Sequence, residues 1–229
     1  MKKHIPNFIT CLNLLSGCIA VWYAFNGNYE GAFIAILLSA VFDFLDGFAA
    51  RLLKAYSALG KELDSLADMV SFGMAPGAIV FSLFSDMNIS AWLPYLGFII
   101  TIFSALRLGK FNIDDRQTSS FIGLPTPASA ILWAGLAFSY SDWLIMNIWV
   151  LVGSTVVFSY LLVAGIPMFG LKLKSLAWNE NRIQYIFLFG SILILAALQF
   201  DAFAPIIGWY IILSVINTLL SILKPKSKI

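Results

Sequence analysis

The chain has 229 residues, of which 60% are apolar and only 11% are charged, and its formal net charge is +2. Soluble domains are about 45–50% apolar and about 25% charged, so this composition excludes an ordinary soluble enzyme, a disordered chain and a disulfide-stabilised secreted domain. With a mean hydropathy of +0.89, the sequence predicts an all-α, polytopic integral membrane protein, a bundle of helices in the lipid bilayer.

Eight apolar segments are long enough, or nearly so, to cross a bilayer, which takes roughly 20 residues per helix. We predict about eight transmembrane helices, over 6–25, 31–53, 61–85, 90–108, 125–141, 143–164, 183–200 and 204–223. Turn-forming residues separate them, and the shortest separation is the one near residue 141. We expect a single membrane domain over residues 1–229.

The distribution of charge predicts the topology. With eight helices, all 14 Lys and Arg residues fall on the side that holds both termini. The opposite loops carry only the acidic residues Glu30, Asp86, Asp142 and Asp201. Because loops rich in Lys and Arg remain in the cytoplasm, we expect both termini and the basic loops to be cytoplasmic. One helix more or fewer would scatter the basic residues over both sides.

Four acidic residues lie inside predicted helices. Asp43 and Asp46 belong to the second segment, and Asp64 and Asp68 to the third. Spacings of three and four residues place each pair on one helical face. The short basic connection makes the two helices antiparallel, so both faces can meet near the cytoplasmic surface. Because a carboxylate at membrane depth costs about 2.5–3.5 kcal/mol, four of them indicate a functional site.

The residue types in this region point to phosphate chemistry. Four carboxylates repel one another unless they are protonated or bridged by cations, and oxygen ligands suit Mg²⁺, Mn²⁺ or Ca²⁺ rather than zinc. A pair of such ions can clamp a phosphoryl group and stabilise its leaving oxygen. Arg51 could contact a phosphate oxygen, and Gly47, Ala50 and Gly60 leave room for a ligand on the same faces.

Together these residues form the string D-x2-D-G-x2-A-R-x8-G-x3-D-x3-D from Asp43 to Asp68. At every fixed position it resembles the signature of the CDP-alcohol phosphotransferase family. The resemblance implies a six-helix catalytic core within about 5–200, a peripheral last helix over about 204–223, and a homodimer. It also implies two Mg²⁺ or Mn²⁺ ions held by the four aspartates, and Asp68 as the general base. The residues it implies for the CDP-linked lipid donor are Asp46, Gly47, Ala50, Arg51 and Gly60.

Further segments resemble the membrane-type phosphatidylserine synthases of that family, namely 6–17, 64–76, 105–112 and 121–128. This resemblance implies CDP-diacylglycerol as the donor and L-serine as the acceptor. A guanidinium group suits the carboxylate of serine, so Arg107 is a candidate acceptor contact, and Asn112, Thr126 and Arg116 are further candidates. In the alternative reading, Arg107 only follows the charge rule for cytoplasmic loops, and Thr126 only caps a helix before Pro127.

Two other functions stay open. The same chemistry with glycerol 3-phosphate or an inositol phosphate would need a larger basic pocket, for which the sequence offers Arg107, Lys110 and Arg116. A divalent-cation carrier accounts for the carboxylates but not for the glycines, Ala50 and Arg51 in fixed register. We expect the bilayer to surround the protein, and we expect no nucleic acid as a partner.

Overall fold

The computed structural model describes residues 4–114, 121–171 and 177–223, and almost all of these residues are helical. The helices are α1 (His4–Phe25), α2 (Tyr29–Leu52), α3 (Ala58–Asp68), α4 (Ala75–Asp86), α5 (Phe98–Ile113), α6 (Thr126–Met146), α7 (Ile148–Val163), α8 (Arg182–Leu198) and α9 (Phe203–Leu223). A π-helical segment, Met69–Met74, joins α3 to α4, and 3-10 turns cover Leu93–Gly97, Trp178–Glu180 and Gln199–Ala202. Each predicted apolar segment contains a helix, and the all-α class is confirmed.

Five helical stretches of the described residues are long and apolar enough to cross a membrane. They are His4–Phe25, Tyr29–Leu52, Ala58–Asp86, Leu93–Ile113 and Arg182–Leu220. The last stretch contains two of the predicted segments, in α8 and α9, and α7 is a shorter apolar helix of 16 residues. The protein is therefore a multi-pass membrane protein.

One predicted boundary is wrong. The break between the fifth and sixth segments, predicted near residue 141, lies at Asn147. The polar stretch 139–142 contains neither Gly nor Pro, so α6 continues through it with a local distortion at Tyr140, where φ is −136° and ψ is 21°. The predicted loop is therefore a kink inside a longer helix.

The connection between α2 and α3 sets the start of the helix that carries Asp64 and Asp68. Ser57 has an extended backbone and its Oγ accepts a hydrogen bond from the Gly60 N–H at 3.0 Å, which is a typical N-cap. Only a few residues separate α2 from α3. The cap and the short connection fix where the two aspartate-bearing helices begin and end relative to each other.

The π-helical segment follows Asp68 directly. Pro76, in the first turn of α4, has no N–H to donate to the helix, and the preceding residues adopt the wider π turn. Side-chain hydroxyl groups link this segment to other helices by hydrogen bonds. Thr101 Oγ1 donates to the Gly73 carbonyl at 3.1 Å, and Ser71 Oγ donates to the Asn13 carbonyl at 3.0 Å. Such segments occur frequently at functional sites.

Two hydrophobic clusters hold the bundle together. The larger joins α1, α2, α4, α6 and α7 around buried side chains such as Ile36, Ile79 and Trp133. The smaller gathers around Leu124 and Leu162, next to a two-residue antiparallel pairing of β1 (Phe121–Ile122) with β2 (Pro167–Met168). Helix α9 contributes buried residues to this second cluster, whereas α8 has none.

Candidate active site

Three aspartates from two helices converge. Asp43 on α2 and Asp64 and Asp68 on α3 each present a carboxylate oxygen, and these three oxygens all lie within 4.8 Å of one another. All three residues are partly buried. Like charges at this distance repel strongly unless a cation bridges them. Three oxygen donors at this separation fit a hard divalent cation such as Mg²⁺ or Mn²⁺.

Asp46, the fourth aspartate of the string, is held apart from this group. It lies one turn after Asp43 on α2, only 6% exposed. Thr10 Oγ1 of α1 donates a hydrogen bond to its Oδ2 at 2.6 Å. The Asp46 carboxylate and Asp64 both line a neighbouring cavity. Asp46 therefore borders, together with Asp64, the cavity that lies beside the three converging aspartates.

Helix α1 also contacts Asp68. Asn13 Nδ2 donates to Asp68 Oδ1 at 3.4 Å, while Asn13 Oδ1 is buried and has no hydrogen-bond partner in residues 4–114, 121–171 and 177–223. Neither Thr10 nor Asn13 is among the predicted site residues. The sequence does contain a signal for them, because they are polar, three residues apart and on one face of a largely apolar helix.

The small residues of the string line a cavity of about 230 Å³ beside the aspartates. Gly47, Ala50 and Gly60 form part of its wall, together with Tyr56 and Lys61. A Cβ added at Gly47 would meet no protein atom within 4 Å, so this wall faces open space. At Gly60, by contrast, a Cβ would lie 3.0 Å from Ser57 Oγ. Gly47 thus borders the ligand space, whereas Gly60 is needed for packing against the cap of α3.

Arg51, the basic residue of the string, does not lie in the wall of this cavity. Arg51 lies exposed in the last turn of α2 and does not line this cavity. Its backbone carbonyl accepts a hydrogen bond from the Lys54 N–H at the end of the helix. The structure therefore brings Asp46, Gly47, Ala50 and Gly60 together around one cavity and leaves Arg51 at its periphery.

A second cavity, of about 500 Å³, contains a buried cation. Arg107 of α5 is only 6% exposed and lines this cavity with Lys110. Its guanidinium carbon lies 5.1 Å from the ring centre of Phe111 and 5.7 Å from that of Phe121. Arg107 also interacts electrostatically with Asp68, and its Nε has no hydrogen-bond partner among the residues that the structure describes. An anionic group in this cavity would meet the guanidinium group of Arg107 in its wall.

The other candidate acceptor contacts differ in whether their side chains already make a hydrogen bond within the protein. Asn112 Nδ2 donates to Ser65 Oγ at 2.9 Å, so its amide already joins α5 to α3. Thr126 is fully buried, and within the described part of the chain its Oγ1 has no hydrogen-bond partner. The N-cap of α6 is Pro125 and no side chain caps this helix, so the alternative reading of Thr126 as a cap is wrong. Arg116 lies outside the described residues.

Comparison with known proteins adds independent information. The model of the family described as CDP-alcohol phosphatidyltransferase matches residues 3–162. A Bacillus subtilis protein named CDP-diacylglycerol–serine O-phosphatidyltransferase is 36% identical over 143 residues, which are 61% of this chain and 78% of the relative.

Two further relatives come from another bacterium and from an archaeon. A Helicobacter pylori protein with the same name is 29% identical over 227 residues, covering 96% of this chain and 92% of the relative. An archaetidylserine synthase of Methanothermobacter thermautotrophicus is 34% identical over 129 residues, which are 56% of this chain and 54% of the relative. The family match includes all four aspartates, Arg107 and Thr126.

Proposed function

This chain belongs to the CDP-alcohol phosphatidyltransferase family, and we propose that it transfers a phosphatidyl group from CDP-diacylglycerol to the hydroxyl of L-serine. The products are phosphatidylserine and CMP. The observation that carries the proposal is the convergence of Asp43, Asp64 and Asp68 beside a cavity lined by Gly47 and Ala50. The names of relatives from bacteria and archaea support serine as the acceptor.

In this proposal the four aspartates bind the metal ions, and one of them, Asp68, also acts as the general base. Two Mg²⁺ or Mn²⁺ ions bound by Asp43, Asp46, Asp64 and Asp68 would neutralise the pyrophosphate of the donor and the phosphate of departing CMP. Asp68 accepts the proton of the serine hydroxyl as its oxygen attacks the lipid-linked phosphorus. The bond from that phosphorus to the bridging oxygen breaks, and CMP leaves with this oxygen.

The first cavity is our candidate for the cytidine diphosphate of the donor. Its wall combines small residues with polar ones, and Asp46, Gly47, Ala50 and Gly60 all contribute. We propose that Arg51, at its edge, contacts the phosphates from the cytoplasmic end of α2. The acyl chains of the donor would remain in the bilayer, next to the exposed apolar residues of α2 such as Phe44 and Phe48.

The second cavity is our candidate for the acceptor. Arg107 supplies a desolvated guanidinium group that can bind a carboxylate through two hydrogen bonds, and Phe111 and Phe121 hold it in place. We propose Thr126 as a further acceptor contact, because its buried hydroxyl needs a partner. Asn112 would contribute through Ser65, the neighbour of Asp64.

We also propose the orientation and assembly. Placing the basic residues at the cytoplasmic ends of the helices puts both termini and the aspartates on the cytoplasmic side of the membrane. We propose that residues 1–229 form one catalytic domain with its core within about 5–200 and α9 at its periphery, and that it acts as a homodimer, as the family resemblance implies. Native mass spectrometry from detergent micelles would measure the assembly.

An acceptor panel tests the proposed function. Purified protein in detergent receives CDP-diacylglycerol with Mg²⁺ or Mn²⁺, and CMP release is measured with L-serine, glycerol 3-phosphate or inositol 1-phosphate. We expect release that requires serine and disappears when a chelator is added. Release with a phosphorylated acceptor instead would leave the metal site in place but refute serine as the acceptor. Folded protein that releases no CMP with any acceptor would refute transferase activity.

A further inference from the structure

Helix α1 reaches two of the four aspartates through side chains on one of its faces. Thr10 bonds Asp46, and Asn13 bonds Asp68, so one helix contacts one carboxylate from α2 and one from α3. We infer that α1 is the positioning element of the metal site and that Thr10 and Asn13 fix the orientation of these carboxylates. This inference rests on the proposed function in one respect, namely that the aspartates bind divalent cations.

The bond from Thr10 restricts Asp46. A hydroxyl has one hydrogen to donate. The Thr10 Oγ1 lies 2.6 Å from Asp46 Oδ2 and 3.1 Å from the Pro6 carbonyl oxygen. The shorter distance is in the range of a charge-assisted bond to a carboxylate, so the hydrogen points to Asp46. The Asp46 carboxylate is therefore restrained through Oδ2 by Thr10, and it also accepts a hydrogen bond from the backbone of Gly47.

Asn13 acts on Asp68 from a fixed position. Its backbone carbonyl accepts hydrogen bonds from Ser39 Oγ of α2 at 3.3 Å and from Ser71 Oγ of the π-helical segment at 3.0 Å. These bonds tie the Asn13 backbone to the helix of Asp46 and to the segment directly after Asp68. The Asn13 amide is thereby placed against Asp68, and its fully buried Oδ1 can accept a donor from a ligand in the site.

Close packing keeps α1 at this distance. A Cβ added at Gly17 would lie 2.7 Å from the Cα of Ser71, so α1 approaches the π-helical segment as closely as two backbones allow. The side chains of Thr10 and Asn13 can therefore stay short and still reach carboxylates on other helices. Removing either side chain leaves the bonds to the Asn13 carbonyl and the contact at Gly17 unchanged.

The size of the effect follows from metal sites in general. Partners that orient a metal-binding carboxylate typically contribute 10- to 100-fold to metal affinity. Thr10 makes the shorter bond, so we expect the larger effect there. The 3.4 Å bond from Asn13 is at the long end of the range for a hydrogen bond, and we expect a smaller loss of about tenfold.

The experiment measures Mn²⁺ binding to purified protein in detergent, from the electron paramagnetic resonance signal of free Mn²⁺, with neither lipid donor nor serine present. The variants are T10V, which keeps the shape of the side chain but removes its hydroxyl, T10S, which restores the hydroxyl, and N13L. The matched control is S16A, which removes a buried hydroxyl of α1 that bonds only the Ala35 carbonyl, at 2.8 Å. Size-exclusion chromatography and thermal unfolding check that each variant is folded, and N13S replaces N13L if N13L is not.

We expect T10V to weaken Mn²⁺ binding by about 10- to 100-fold and T10S to recover most of this loss. N13L should weaken Mn²⁺ binding less than T10V does. S16A should bind Mn²⁺ as the unsubstituted protein does. Unchanged Mn²⁺ affinity in T10V would overturn the inference, and so would an equal loss in S16A. The readout uses no substrate, so it separates the two proposals. The expected pattern of Mn²⁺ binding without serine-dependent CMP release would refute the proposed function alone.

Discussion

Gly47 offers a test in which stability and activity change in opposite directions. It lies inside α2, and an added Cβ would meet no protein atom within 4 Å. Alanine is about 0.8–1.0 kcal/mol more favourable than glycine in a helix interior. Gly47→Ala should therefore raise the free energy of unfolding by about 1 kcal/mol, which corresponds to a rise in Tm of about 2–4 °C for a chain of this length.

The same methyl group would enter the cavity of about 230 Å³ that we assign to the donor. Placing an extra methyl in a filled space costs about 1–3 kcal/mol. At 1.4 kcal/mol for each factor of ten, this is an increase of about 5- to 150-fold in the KM for CDP-diacylglycerol. Initial rates of CMP release at varied donor concentration and saturating serine would measure this increase.

Gly153→Ala provides the matched control. Gly153 lies inside α7, and an added Cβ there also meets no atom within 4 Å, but the residue lines neither cavity described above. It should gain the same stability and keep the KM of the unsubstituted protein. The reasoning is refuted if Gly47→Ala shows the KM of Gly153→Ala, because the cavity would then not hold the donor. A fall in Tm for Gly47→Ala would contradict the open space at that wall.

Three further predictions concern other parts of the protein. Asp68→Asn should reduce CMP release by at least about 100-fold because it removes the base that we propose, while the protein elutes and unfolds as before. Substantial turnover would exclude Asp68 as the base. Arg107→Lys should raise the KM for serine about tenfold and leave the KM for the donor unchanged, since an ammonium group lacks the planar fork that binds a carboxylate; a parallel rise in both constants would point to a structural role. Gly17→Ala should lower the free energy of unfolding by about 1–3 kcal/mol through overpacking, because the new Cβ would lie 2.7 Å from the Cα of Ser71. An unchanged Tm in detergent would contradict the close approach of α1 to the π-helical segment.

Part of the candidate active site follows directly from the spacing of residues in the sequence. Spacings of three and four residues place two aspartates on one face of each helix, and a short connection forces the helices to lie antiparallel. Their convergence therefore follows from helix geometry alone, and Asp43, Asp64 and Asp68 do meet. The small residues at Gly47 and Ala50 line the adjacent cavity for the same reason.

Other properties depend on contacts between segments that are distant in the sequence. The bond from Thr10 to Asp46 joins residues 36 positions apart and requires the packing of α1 against α2. The ring of Phe111 beside Arg107 lies one turn along the same helix, but Phe121 is held there by the pairing of β1 with β2. Neither the hydrogen bond that restrains Asp46 nor the burial of Arg107 could be predicted from spacing.

The boundary error in α6 has a similar physical origin. Ser139, Ser141 and Asp142 are polar enough to indicate a loop, yet none of them prevents helical geometry. The helix therefore continues to Met146 because nothing interrupts its backbone hydrogen bonds except the distortion at Tyr140. Composition indicates where polar residues lie, whereas a true helix end requires a cap or a residue that breaks the backbone pattern.

The most direct test of the account follows the fate of the acceptor itself. Purified protein, stripped of metal and then supplied with Mg²⁺ or Mn²⁺, receives CDP-diacylglycerol and isotopically labelled L-serine, and the lipid fraction is analysed by mass spectrometry. The account predicts labelled phosphatidylserine and one CMP for each molecule of it, with neither product formed before metal is added or in Asp68→Asn. Label that stays in the aqueous phase while CMP is released, or phosphatidylserine that forms without metal, would contradict the account.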